Sequence, residues 1–306
     1  MQKRILLTGG NGLLGQKIVK LLADRLYTQL LATGRGVNRH ILREGYEYVS
    51  LDLTDSQKLS SLFKEYKPTH LIHTAASTLV DKCELDQEAC DAVNVQAVEQ
   101  LCKLSVQYGT HLVHISTDFV FDGEDGPYKE EDVPNPVNYY GRSKLKAERI
   151  VQDSGAAFAI LRTMLLYGVS PAMSRSNIVL WVKKSLESGT PIKVVDDQKR
   201  CPTLAEDLAI ATVSASMKNA SGIYHISGAE MMSMLTLAHK VADFWKLDAS
   251  LISPIDSVSL KQAAKRPPIT GFVILKAQTE LGYKPFTLNQ GLGLVDRQLK
   301  EWKNMI

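Results

Sequence analysis

Apolar residues along this chain fall into two alternating patterns. Short consecutive runs are followed by longer stretches in which apolar residues recur every three to four positions. A consecutive run reads as a strand buried on both faces, and the longer spacing as a helix with one face toward a core. The first half therefore predicts strands at Arg4–Thr8, Leu30–Thr33, Tyr46–Leu51, His70–His73, His111–Ile115 and Phe158–Leu161. It predicts helices at Gly12–Leu26, Ser56–Tyr66, Asp86–Gln107 and Tyr139–Gln152. Such alternation builds βαβ units, so the expected class is α/β: a Rossmann-type, doubly wound parallel sheet. After about Thr163 the pattern loosens. Helical stretches at Asn177–Glu187, Ala205–Met217 and Met234–Trp245 are separated by brief strands at Ile192–Val195 and Ile223–Ile226. The division expected is a nucleotide-binding domain over 1–163 and a smaller C-terminal lobe over 164–306, partly interleaved with it. The run Lys261–Pro268 reads as a solvated basic loop.

Composition narrows the function classes. The 306 residues are 44% apolar and 23% charged, and 36 basic against 33 acidic residues leave a net +3. That charge is too weak to predict nucleic-acid binding. No run approaches the roughly 20 apolar residues needed to cross a bilayer, and none at the N-terminus is long enough for a signal-peptide core. The four cysteines, Cys83, Cys90, Cys102 and Cys201, form no C-x-x-C pair. Free thiols in a reducing, cytoplasmic setting are expected. No His/Cys/Asp cluster has zinc spacing. His73 and His114, near strand ends, read as core histidines within reach of a site.

Gly9, Gly12 and Gly15 form G-x-x-G-x-x-G between the first strand and the first helix. Glycines allow a tight turn and close backbone approach to a pyrophosphate, and the helix N-terminus offers free N–H groups to an anion. A dinucleotide cofactor is therefore expected. Arg35 stands twenty residues past Gly15, at the end of the second strand, where a residue reading the adenosine ribose belongs. A cation there suits a 2′-phosphate, so NADP(H) is expected ahead of NAD(H). Asp52 and Leu53 follow the third strand and would flank the adenine, although Asp52 would equally cap a helix starting near Thr54. Tyr140 and Lys144 form Y-x-x-x-K, which on a helix sets both side chains on one face. A neighbouring ammonium lowers a phenol pKa and makes the tyrosine a usable acid. Ser116-Thr117-Asp118, at the end of the fifth strand, adds a hydroxyl able to hydrogen-bond a carbonyl oxygen.

With these motifs in place, the chain resembles the extended short-chain dehydrogenase/reductases, and more finely the dTDP-4-dehydrorhamnose reductase family. Val80-Asp81-Lys82-Cys83-Glu84, Ile115 to Gly123, Pro136 to Lys144, Leu161-Arg162-Thr163, Val194 to Gln198, Pro202-Thr203 and Arg266-Pro267 carry the likeness across nearly the whole chain. The resemblance implies that Tyr140 donates a proton to a ketone, that Thr117 binds its oxygen, and that Lys144 holds the nicotinamide ribose. It places Gly12, Leu13 and Leu14 under the pyrophosphate and Ala76, Ser77 and Thr78 along the cofactor. Thr117, Asp118, Thr78, Val80 and position 165 would face the substrate. The implied reaction is hydride transfer to C4 of a nucleotide-linked 4-keto-6-deoxy sugar. Three departures lie on the substrate side: Met164-Leu165 where the family has Ser-Trp, Arg200 in place of a glycine, and Asn177-Ile178-Val179 in place of Asn-Phe-Val. Gln16-Lys17 stand where some members carry a magnesium-binding acid, so no metal is expected. Rival readings remain. A dehydratase would need an acid after Asp118, where Phe119 stands. An epimerase would favour NAD over Arg35. A non-catalytic NADP-binding regulatory protein, like the regulatory subunit of methionine adenosyltransferase, would tolerate the altered substrate side. A homodimer is compatible with the sequence, and neither nucleic acid nor membrane is expected as a partner.

Overall fold

The computed structural model describes residues 2–173 and 176–303. Met1, residues 174–175 and residues 304–306, which the expected domain limits include, lie outside the described residues. Six strands and six helices make the first half: β1 (Lys3–Thr8), α1 (Leu13–Leu22), β2 (Thr28–Gly34), β3 (Glu47–Ser50), α2 (Ser56–Tyr66), β4 (His70–His73), α3 (Val80–Leu85), α4 (Gln87–Asp91), α5 (Ala97–Tyr108), β5 (His111–Thr117), α6 (Tyr139–Asp153) and β6 (Phe158–Thr163). The second half adds α7 (Ile178–Glu187), α8 (Ala205–Met217), α9 (Met234–Trp245) and α10 (Leu288–Lys303).

Strands β1 to β6 form a parallel sheet in the order β6-β5-β4-β1-β2-β3, and Gly222–Ile226 adds a seventh strand beside β6. The chain therefore crosses back from the C-terminal half into the first sheet, and a cut at Thr163 does not separate two independent cores. Both faces are covered, which is why strands such as Ile5-Leu6-Leu7 are apolar without alternation. Leu6, Leu71 and Leu112 meet α2, α5 and α6 on one face; Ile5, Leu7 and Val113 pack with α1 and α8 on the other. A separate apolar core joins α7, α9 and α10 in the lobe, with Ile192–Val195 paired to Ile252–Ile255.

Several boundaries differ from the sequence expectation. Helix α1 ends at Leu22, and Leu26, read as part of its apolar face, is 82% exposed. The predicted Asp86–Gln107 helix starts at Gln87 with Asp86 as its cap, and a wider turn at Ala92–Gln96 interrupts it before α5. Strand β5 runs on through Ser116 and Thr117. Asp55, not Asp52, caps α2: its carboxylate accepts the Lys58 N–H at 3.0 Å. Among the described residues, no helix is long and apolar enough to cross a membrane.

Candidate active site

The strand order reverses between β1 and β4: β1, β2 and β3 run one way across the sheet, and β4, β5 and β6 the other. In open parallel sheets that crevice, at the C-terminal strand ends, is where ligands sit. The glycine loop and Thr74–Thr78 line it. A Cβ on Gly9, which has φ +76°, would lie 2.6 Å from the Thr74 hydroxyl oxygen, and a Cβ on Gly15 would lie 2.2 Å from the Gly9 carbonyl. Only glycine lets the loop pass so close to β4 and α1. Helix α1 then begins after Gly12 with no side-chain cap and no acidic residue in its first turn. Its first N–H groups, at Leu13 and Leu14 among others, have no partner within the helix. A pyrophosphate fits this donor set.

Asn11, which the sequence reading passed over, latches this loop to the segment after β2. Its amide donates to the carbonyls of Arg35 (3.1 Å) and Val37 (2.9 Å), and its oxygen accepts from the Arg39 N–H (2.9 Å). Arg35 itself is exposed at the end of β2. Asp52 lies close enough that Arg35 helps hold its carboxyl low, after the larger effect of the Thr54 N–H it accepts. Leu53, expected beside the adenine, has its side chain buried with Leu59 and Phe63 in the α2 core. Ala76 and Ser77 are half-buried and Thr78 exposed along the same edge. Asn94, on the wide turn before α5, clamps this stretch: it accepts the Ser77 N–H (2.8 Å), donates to the Ser77 carbonyl (3.0 Å) and reaches the Ser143 hydroxyl (3.0 Å). A lone asparagine in a helical pattern carried no signal of this.

Helix α6 brings Tyr140 and Lys144 to the crevice. Asn138 caps it, accepting the Gly141 N–H at 2.8 Å. Gly141 is required because a Cβ there would lie 2.1 Å from the Phe119 carbonyl, so α6 touches the turn that follows β5. Tyr140 is buried against Cys83, Cys90, Val80 and Phe119. Burial pushes its phenol well up, and the Thr117 hydroxyl beside it pulls the other way. The expected lowering of Tyr140 by Lys144 is not found in the free chain. Lys144 Nζ turns instead to the sheet, donating to the Ile115 carbonyl at 2.7 Å and meeting His114 Nε2 at 3.1 Å. Burial brings its ammonium down to about 8.

On the substrate side, Asp118 is 3% exposed and already engaged. Its carboxylate pairs with Arg200 Nε at 3.3 Å and accepts from the hydroxyl of Thr270. Arg200, 4% exposed, also donates to the carbonyls of Lys199 (2.8 Å), Pro267 (2.5 Å) and Pro268 (2.9 Å). The segment Lys261–Pro268 is therefore no free loop. Arg266 pairs with both carboxylate oxygens of Asp81 at 2.6 Å, and Asn138 holds the Lys265 carbonyl at 2.8 Å. It straps α3 to the cap of α6. Val80 faces the Tyr140 cluster. Leu165 takes a left-handed backbone, φ +40°, and packs toward the lobe core. Gln16 and Lys17 are buried, Lys17 paired with Glu206 at 2.7 Å.

Comparison with known proteins gives the family of the chain. Residues 3–300 match the RmlD substrate-binding domain family. The chain belongs to that family. Among curated proteins, it is similar to methionine adenosyltransferase 2 subunit beta of Xenopus tropicalis, 34% identical over 258 residues, 83% of this chain and 75% of the relative. It is also similar to a probable low-salt glycan biosynthesis reductase of Haloferax volcanii, 30% identical over 305 residues, 97% of this chain and 98% of that protein. A solved dTDP-4-dehydrorhamnose reductase from Bacillus anthracis in complex with NADP superposes with a TM-score of 0.83 at 26% identity, over 97% of this chain and 100% of that one. Membership makes the fold that of the extended short-chain dehydrogenase/reductases, with NAD(P)-dependent oxidoreductases among its structural neighbours.

Proposed function

We propose that this protein is an NADPH-dependent reductase of a nucleotide-linked 4-keto-6-deoxy sugar. The observation that carries the reading is the convergence of Thr117, Tyr140 and Lys144 on the crevice edge beside an uncapped glycine-loop helix. A bound NADPH supplies a hydride to C4 of the sugar. Tyr140, kept protonated by its burial, gives the ketone oxygen its proton, while the Thr117 hydroxyl hydrogen-bonds that oxygen. Hydride and proton together turn the carbonyl into a secondary alcohol and leave a phenolate at Tyr140. The Lys144 ammonium, charged below about pH 8, stabilises that phenolate through the field of the dry site and binds the ribose. Gly12, Leu13 and Leu14 would hold the pyrophosphate through backbone N–H groups. Arg35 would meet a 2′-phosphate.

The test is loss of reduced-nicotinamide absorbance with NADPH and dTDP-4-dehydrorhamnose. Tyr140→Phe is expected to lower the rate on the order of 10²-fold or more while NADPH affinity stays within a few-fold. An undiminished rate would remove Tyr140 as the acid.

One observation favours a second reading, an NADP-binding regulatory subunit. Arg200 fills the space beside Asp118 and spends its donors within the protein, and the relative from Xenopus tropicalis is a subunit of another enzyme. NADP(H) binding without keto-sugar turnover, together with turnover appearing in Arg200→Gly, would support it.

A further inference from the structure

The last residues of β1 and β4 and the middle of β5 place a row of polar side chains beneath the crevice. Thr8 on β1, His73 on β4 and His114 on β5 are register partners across the sheet. All three are buried, with His114 fully so and His73 at 1%. The Thr8 hydroxyl and His73 Nδ1 are 2.7 Å apart. The two imidazoles stack, 5.2 Å between centroids at 25°. His114 Nε2 then meets Lys144 Nζ. Thr8 is the residue before Gly9, so the row joins the glycine loop to Lys144.

We propose that His114 is a positioning residue for Lys144: a neutral imidazole whose Nε2 accepts from the ammonium and sets where, and over what pH range, that cation stands. The proposal rests on the reductase reading only for its kinetic consequence. The groups that face Lys144 are few. On its own helix are Tyr140 and Glu148, and Glu148 is bound to Arg162 at 2.7 Å, both nearly inaccessible. Cys90 approaches from α4, His114 from β5, and His73 lies behind His114. The Ile115 carbonyl is the other acceptor. With Nε2 accepting, the His114 proton lies on Nδ1, and Nδ1 has no hydrogen-bond partner among the described residues. An unpartnered buried N–H costs free energy that an apolar residue would avoid. A leucine at 114 would spare that cost but lose both the stack on His73 and the acceptor on Lys144, and of the two only the acceptor acts on the ammonium. Burial and the adjacent Lys144 and His73 keep His114 neutral. Removing the acceptor leaves the Ile115 carbonyl as the remaining partner and makes the ammonium easier to deprotonate.

The first test needs no turnover. Free protein labelled with 15N-histidine is titrated from pH 6 to 10 by NMR, beside Lys144→Met. The expected result is a neutral His114 throughout, protonated on Nδ1, whose Nε2 resonance shifts as Lys144 titrates and does not shift in Lys144→Met. A His114 imidazolium near neutral pH, or a resonance indifferent to Lys144→Met, would overturn the assignment. The second test compares His114→Gln, which keeps an acceptor, with His114→Leu. The basic limb of the rate profile with NADPH and keto sugar is expected to stay in the glutamine variant. It should move about one pH unit toward acid in the leucine variant, roughly a five-fold loss at pH 8. Equal profiles in the two variants would also overturn the proposal. Absence of turnover in the unmodified protein would count against the reductase reading and leave the NMR outcome decisive for His114.

Discussion

Arg35 leaves β2 with its guanidinium in solvent, while the backbone around it is fixed by Asn11 and by the Tyr48 hydroxyl, 3.0 Å from the Gly34 carbonyl and 2.9 Å from that of Gly36. A cation held by a rigid backbone but free at its tip is suited to an anionic ligand group. Arg35→Asp is expected to weaken NADPH relative to NADH by about ten-fold or more, since a charge-assisted contact of about 1.5–3 kcal/mol is replaced by repulsion. Binding titrations with both cofactors check it; an unchanged ratio would shift the role to Arg39. At this scale the motif residues were legible because their chemistry depends on short-range spacing. Gly9 to Gly15 and Tyr140 to Lys144 each lie within two helical turns. The roles of Asn94 and Asn11 were not legible, and Arg200 was legible only as a departure from the family, because each acts on partners remote in sequence. The direction of the Leu53 side chain was not legible for a related reason: which way a residue faces just past a strand is settled by the core it meets.

At the scale of elements, the strap over Lys261–Pro268 differs most from its sequence reading. A run with Lys261, Lys265, Arg266 and two prolines has the composition of a solvated loop. The carbonyls of Lys265, Pro267 and Pro268 and the side chain of Arg266 are nonetheless tied to Asn138, Arg200 and Asp81. Through Arg200 the strap is joined to Asp118. Arg266→Ala removes a bidentate ion pair that is largely shielded on the arginine side, at 13% side-chain exposure. Local opening of the strap should become on the order of ten-fold easier, about 1.4 kcal/mol, with little change in global stability. Limited trypsin digestion would read this as faster cleavage after Lys261 or Lys265. An unchanged cleavage rate would mean that Arg200 alone holds the segment.

Across the whole molecule, several histidines are buried in neutral form. Burial brings His70 down to about 4 and His73 and His225 to about 3, from an ordinary value of 6.5. The unfolded chain binds these protons below about pH 6.5, and the folded chain does not until far lower. Stability is therefore complete above about pH 6.5 and lost as pH falls below it, by about 1.4 kcal/mol per histidine per pH unit. Asp207, pushed up to about 6 by burial, works in the opposite direction. Its gain at pH 5.5 is below about 1 kcal/mol. Urea unfolding at pH 7.5 and 5.5 should differ by about 3 kcal/mol in favour of the higher pH. A flat profile would mean that these histidines are hydrated in solution.

The sequence by itself determined the α/β class, the parallel strands of the first half, the glycine loop and the Tyr140/Lys144 spacing. Each of these follows from residue periodicity or from chemistry confined to neighbouring turns. Only the tertiary structure decided that Gly222–Ile226 rejoins the first sheet, that Arg200 occupies the space beside Asp118, and that Lys144 rests on His114. Those depend on burial and on hydrogen bonds between residues far apart in sequence, where a charged side chain must find a partner once water is gone. The linear order of residues does not say which partner that will be.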